Sequence, residues 1–387
     1  MKITAIFLGK KKNSISITNK LISFLFSNML YLILSVTLVF VMIFLGNNTS
    51  ILKNVFSLAT NFRQADKIQI SASSIFSMYS LYNEKNYTYD RNIEVAQNDK
   101  DNMTQKQNEY LSDYEKLDAV ITDKNSVEAV LSNIPSVNVT ENSSSIQRIS
   151  IDNMKILNYS SYRNIDFSSL LNANIIFTKT NDRILLYNTH TSETYTNSEK
   201  YQFSYSGTMR TQDASFNMIS IAKELRDNLN SKGINATNDT TPHDYGTYTS
   251  AYQRSRITVK NALKAMGGAA ISIDVHRDAI ADLTYAPKVN INGVNVAQCM
   301  FVVGVGTDTN KNDYYLDNLK LALKLQRLAD VLYPGLFRPM IIRNSLYNQD
   351  LNKYSLLIEV GATGNTIEEA KCATRCITNL LNIIYKD

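Results

Sequence analysis

The chain has 387 residues, which allows two or three folded units rather than one. Hydrophobic residues make up 44% and charged residues 19%, with 23 Tyr, 14 Phe and no Trp, a balance that excludes collagen-like, coiled-coil-only and wholly disordered chains. The net charge of +5 is local: Lys2, Lys10, Lys11, Lys12 and Lys20 open the chain, no acidic residue occurs before Asp66, and the remainder is balanced. A neutral body lacks the basic stripe that a phosphate backbone requires, which argues against nucleic acid as a partner.

Residues 1–20 read as a cytoplasmic tail and 21–46 as a transmembrane anchor. No charge falls between Lys20 and Lys53, and 29–45 (MLYLILSVTLVFVMIFL) is almost unbroken apolar, close to the roughly 20 residues that cross a bilayer. The run exceeds the apolar core of a cleaved signal peptide, and no small-residue cleavage site follows it, so the expectation is an uncleaved anchor. The basic flank stays inside, which places everything after the span outside the cytoplasm. Residues 47–165 read as a juxtamembrane helical stretch followed by a polar stalk rich in Asn, Asp, Ser and Lys.

From 166 to 387 apolar runs alternate with amphipathic patterns, the signature of an α/β domain whose mixed central sheet is flanked by helices. The reading in chain order is a buried strand at 183–187 and a helix at 215–232 that buries Met218, Ile221, Ala222, Leu225 and Leu229 and stops at Gly233. A second helix, 249–266, ends on Gly267 and Gly268, and a strand follows at 270–275. Residues 288–297 form a hairpin about Asn292 and Gly293, a pair suited to a type I′ turn. A core strand at 299–305, a long helix at 312–332, a strand at 355–359 and a last helix at 367–385 complete the domain, with Thr366 and Glu369 as a capping box.

Three polar residues end or closely follow strands: His190, His276 and Glu359. Carboxyl ends of strands are where open α/β sheets place their sites. A catalytic zinc takes three protein ligands and keeps one position open, a requirement met by His190, His276 and one carboxylate, Glu193 being the nearest. His243, in a Pro- and Gly-containing loop, is either a surface or substrate-contacting residue or the third ligand in place of Glu193. Glu359 is the candidate base, and Asp274, on the same side of its strand as His276, a partner that orients that imidazole. Arg254, Arg256 and Arg277 either bind a substrate carboxylate or form ion pairs. Cys372 and Cys376, four apart, read as small core residues, Gly304 and Gly306 as a strand turn, and no serine sits in a nucleophile elbow.

The segments HTSETY at 190–195, YQRSR at 252–256, IDVHRD at 273–278 and IEVGATGNTIEEA at 358–370, in this order behind an N-terminal anchor, resemble the stage II sporulation protein P family. That family is similar to zinc-dependent N-acetylmuramoyl-L-alanine amidases. The resemblance implies a membrane-anchored peptidoglycan hydrolase facing the intermembrane space around the forespore, which cuts the amide between N-acetylmuramic acid and L-Ala and also peptide cross-links. It implies Zn²⁺ as cofactor, with His190 and His276 on the metal histidines and Glu359 on the catalytic glutamate, and stage II sporulation proteins D and M as partners in engulfment. Two rival readings stand beside it: a non-catalytic, membrane-anchored wall-binding scaffold, and a zinc endopeptidase that cuts only cross-links.

Overall fold

In the computed structural model, the described residues are 111–121, 127, 136–141, 146–172 and 174–387. All belong to the unit Asn92–Asp387. The expected tail and anchor at 1–46, and the juxtamembrane stretch that follows, lie outside the described residues; among the described residues no helix is long and apolar enough to cross a membrane.

Nine strands form one sheet: β1 (Val137–Glu141), β2 (Gln147–Ile151), β3 (Met154–Asn158), β4 (Ile184–Tyr187), β5 (Ala236–Asn238), β6 (Ile271–Asp278), β7 (Cys299–Gly304), β8 (Met340–Arg343) and β9 (Ser355–Ala362). Their spatial order is β1-β2-β3-β8-β7-β9-β6-β4-β5. Strands β9, β6, β4 and β5 run parallel to one another, β7 runs antiparallel to β9, and β1, β2 and β3 form an antiparallel meander. The sheet is therefore mixed, and the parallel half gathers four strand carboxyl ends at one edge of the molecule.

Both faces of the sheet are covered, and the strand sequences show why. In β4, Ile184 and Leu186 enter the main core while Leu185 and Tyr187 pack with Val259 on the other face. In β7, Phe301 and Val303 point one way and Met300 and Val302 the other. Side chains alternate along a strand, so a continuous apolar run is what a strand buried on both faces requires. Helices α2 (Met218–Ser231), α4 (Tyr315–Leu332) and α5 (Ile367–Ile384) cover the larger core, together with the short α1 (Phe167–Leu171); α3 (Ala251–Met266) covers the other face.

Local signals hold where they rest on backbone chemistry. The five apolar positions expected on α2 are all buried, α3 ends on a left-handed Gly267, and α5 carries the reciprocal Thr366–Glu369 capping box. The 288–297 hairpin turns on Asn292 and Gly293, both with positive φ, as a type I′ turn demands. Gly304 ends β7 where the carbonyl of Ser345 leaves no room for a Cβ.

Two expectations are corrected. The polar stalk does not run to 165, because 137–158 supplies the three-stranded meander, and β3 joins the sheet beside β8. The buried Ile149, Ile151, Met154 and Ile156 are too few and too interrupted by polar residues to read as a core segment, yet alternation puts all four on the covered face. Strands β6 and β9 also run further than expected, so that His276 sits within β6 rather than just beyond it and Glu359 within β9 rather than at its end.

Candidate functional site

His190 and Glu193 lie on the turn that leaves β4, and both are buried. The turn is held by Asp244, which accepts hydrogen bonds from the hydroxyls of Thr191 and Ser192 and from the Ser192 backbone N–H. Next to β4, the parallel β6 carries Asp274, His276 and Arg277; beyond it, β9 sets Glu359 directly opposite His276 in register. A bulge follows Glu359, where Gly361 adopts φ +73° and its Cα lies so near Ala297 and Asn365 that a Cβ would meet them at 3.0 and 2.9 Å. Chain topology thus brings four residues, scattered over 170 positions in the sequence, to adjacent strand ends.

The rings of His190 and His276 meet edge to face at 5.4 Å between centroids. His276 Nδ1 lies 3.7 Å from Glu193 Oε2, beyond hydrogen-bond reach, and its Nε2 lies 2.9 Å from Asp274 Oδ1. Asp274 is itself fixed, accepting from the Thr189 N–H at 2.8 Å and the Thr189 hydroxyl at 2.6 Å. Glu193 Oε1 faces two guanidinium groups, Arg210 at 3.5 Å and Arg277 at 3.7 Å.

Burial and charge set the proton affinities. Burial pushes Glu359 up to about 8, with Glu193 and Asp278 adding to the rise. Burial also lowers His190, to about 4, aided by the neighbouring His276. Burial opposes ionisation of Glu193, but His276 and Arg277 outweigh it and hold the carboxyl down at about 2. For His276 desolvation is again overcome, here by Asp274, Glu193 and Glu359, and its affinity for a proton rises well above that of a free imidazole.

The other sequence candidates separate clearly. His243 is buried rather than on the surface, its Nδ1 2.7 Å from the Asn188 carbonyl and its Nε2 without a partner. The expectation that it is a surface residue is corrected: the loop folds inward because the Arg254 guanidinium binds the carbonyls of His243 and Thr247. Arg277 is occupied structurally, donating to the carbonyls of Thr194 and Met209. Arg256 makes a two-pronged ion pair with Asp350 and also donates to Asn348 Oδ1 at 3.4 Å. Cys372 and Cys376 are buried core thiols.

Sequence reading missed Arg210, Asp244, Tyr248 and the role of Tyr252. The Tyr248 ring stacks on His190 at 4.1 Å, and Tyr252 meets His190 edge-on at 5.6 Å. Apart from Tyr252, which opens the YQRSR segment, nothing in their local sequence distinguishes these residues from ordinary loop positions, because their roles come from contacts across the fold. A cavity of about 340 Å³ opens beside the turn, lined by Ser192, Arg210, Gln212, Asp244 and Tyr248.

The donor chemistry at the strand ends can be compared with that of a zinc ion. His190 Nδ1, Glu193 Oε2 and Glu359 Oε2 are buried with no hydrogen-bond partner, a costly state that a cation would relieve. Two imidazoles and a carboxylate are a known set for zinc with an open position. Among the described residues, no three His, Cys, Asp or Glu side chains stand in a ready-made metal-holding group. The fit is thus one of donor type and burial.

The family model of stage II sporulation protein P matches residues 47–382. Stage II sporulation protein P of Bacillus subtilis strain 168 is 31% identical over 171 residues, a stretch covering 42% of this chain and 37% of that protein. Among solved structures, the CwlD amidase of Clostridioides difficile, in complex with the GerS lipoprotein, is 14% identical over 52% of this chain and 98% of its own, with a TM-score of 0.32. An N-acetylmuramoyl-L-alanine amidase of Nostoc punctiforme is 10% identical over 53% of this chain and 97% of its own, with a TM-score of 0.31. With the family model matching residues 47–382, well over half of its length, the chain belongs to the stage II sporulation protein P family.

Proposed function

We propose that this protein is a zinc-dependent peptidoglycan hydrolase that cleaves the amide between N-acetylmuramic acid and the L-Ala of the stem peptide. The observation that carries the reading is the convergence of His190, Glu193, His276 and Glu359, all buried, at adjacent strand ends, with a buried polar atom lacking a hydrogen-bond partner on each of the four. His190, Glu193 and His276 would hold Zn²⁺, which when bound polarises a scissile carbonyl and acidifies a water. Asp274, fixed by Thr189, sets the ring orientation of His276. Glu359 Oε2 accepts the proton of the attacking water and passes it to the departing amine, and a carboxyl poised near neutrality exchanges protons in both directions. Arg277 keeps Glu193 ionised and the turn closed.

In this reading residues 21–46 anchor the protein in the cell membrane and the hydrolytic domain acts on the wall outside it. The experiment is mass spectrometry of fragments released from purified peptidoglycan by residues 50–387 with Zn²⁺, using Glu359→Ala as the control. Stem peptides beginning with L-Ala, absent from the control digest, support the amidase reading. Fragments cut only at cross-links replace it with an endopeptidase, and no release by the zinc-loaded protein leaves a wall-binding scaffold.

A further inference from the structure

The Tyr248 ring contacts two side chains. His190 stacks on it nearly parallel, at 4.1 Å and 14°, and the Arg210 guanidinium carbon also sits over the ring, 4.4 Å from its centroid. Tyr248 is 50% exposed, yet His190 beneath it is only 6% exposed, so the tyrosine shields the histidine from solvent on this side.

Arg210 is tied down in three directions. It donates to Asp244 Oδ2 at 3.1 Å and Ser192 Oγ at 3.2 Å, and reaches Glu193 Oε1 at 3.5 Å. Asp244 lies in the same loop as Tyr248, whereas Ser192 and Glu193 belong to the turn that carries His190. One guanidinium therefore joins the covering loop to the turn it covers, and its flat face holds the aromatic ring in place, a cation–π contact worth about 0.5–2 kcal/mol. Gly246, with φ +81° and open space around it, gives the loop a point about which to turn.

We propose that Arg210 is a positioning residue that clamps Tyr248 over His190, fixing the turn at 190–193 in one arrangement and closing that side of the site until the loop at 244–248 swings away. The inference rests on the zinc-hydrolase reading for its purpose, but not for its test. The chain has only three histidines, His190, His243 and His276, all of them buried, so each reports separately on its own surroundings.

The experiment is carbethoxylation of the metal-free protein by diethylpyrocarbonate, with each histidine followed by peptide mass spectrometry. All three are expected to be protected in the wild type and in Tyr248→Phe, which keeps the ring. In Arg210→Ala and in Tyr248→Ala the rate at His190 should rise severalfold while His243 and His276 stay protected, and Arg210→Ala should bind Zn²⁺ about tenfold more weakly in a chelator competition. Protection of His190 in both alanine variants overturns the cover. Exposure in Tyr248→Ala but not in Arg210→Ala overturns the clamp, as does equal labelling of all three histidines in Arg210→Ala beside selective labelling in Tyr248→Ala. A protein that takes up no zinc at all would sink the hydrolase reading and leave the labelling result to decide this one.

Discussion

Glu359 sits in an environment far from that of a free carboxyl. Its carboxyl rises from 4.5 to about 8 on burial in β9, so the folded chain binds a proton that the unfolded chain releases across that interval. Stability in the metal-free state therefore falls as pH climbs through this window. Glu359→Gln, which cannot ionise, should match the wild type in melting temperature below about pH 4.5 and exceed it by a margin equivalent to a few kcal/mol above about pH 8, while abolishing hydrolysis. Calorimetric scans in EDTA at both ends of the range check this, and an unchanged difference would remove the account of Glu359. A second test concerns Thr189, whose one hydroxyl proton goes to Asp274; Ser255 must then donate to Thr189, and Ser255 in turn accepts from Asn348 at 2.9 Å. All five groups from Asn348 to His276 are buried. Thr189→Val breaks this chain and leaves Asp274 short of a donor, with an expected loss of about 1–3 kcal/mol by denaturant unfolding. His190 and Glu359 were legible from sequence because each sits at the end of an apolar run; Arg210 and Asp244 were not, since a single charged residue in a polar loop carries no signal until its partner is known.

At the scale of elements, the bulge at the end of β9 shows how a turn residue serves a site at a distance. Gly361 and Gly293 both hold positive φ, at +73° and +85°, so a Cβ strains either by about 1–2 kcal/mol. Only at Gly361 would that Cβ also press on Ala297 and Asn365, and only there does the affected strand carry a site residue. Gly361→Ala should therefore cost more stability than Gly293→Ala and reduce hydrolysis, whereas Gly293→Ala leaves activity intact; equal effects in melts and digests would dismiss the distinction. The elements themselves were readable wherever they combined an apolar period with a stop signal, as in α2, α3 and α5. Strands β5 and β8 were not, because three or four residues are too few to establish a period and both draw their stability from neighbours distant in sequence.

Across the whole molecule, residues 111–121 are joined to the sheet domain through Asp118. Its carboxylate takes hydrogen bonds from Arg375 at 2.8 Å, Lys232 at 2.9 Å and Asn379 at 2.9 Å, which together outweigh partial burial and hold it down at about 2. Leu117 is fully buried, and its carbonyl accepts from the Tyr333 hydroxyl. Asp118→Ala should loosen this segment first, seen as faster hydrogen exchange at 111–121 ahead of the rest, with a global cost near 1 kcal/mol because the ion pairs are part-exposed. The anchor is tested separately: the full chain should sediment with membranes and a chain lacking 1–46 should not, and release of the full chain by a salt wash would exclude a spanning helix.

The sequence by itself determined the class of the fold, the periods and caps of its long helices, the type I′ hairpin and the residues at strand ends, because each rests on interactions within a few positions of the chain. Only the tertiary structure decided that 137–158 belongs to the sheet, that Glu359 stands opposite His276, that Arg256 is spent on Asp350, and that Arg210 and Tyr248 close over His190. Those outcomes depend on register between strands and on side chains meeting across separations that run from 34 residues for Arg210 and Asp244 to 94 for Arg256 and Asp350, and no local pattern encodes which distant partner a polar side chain will find.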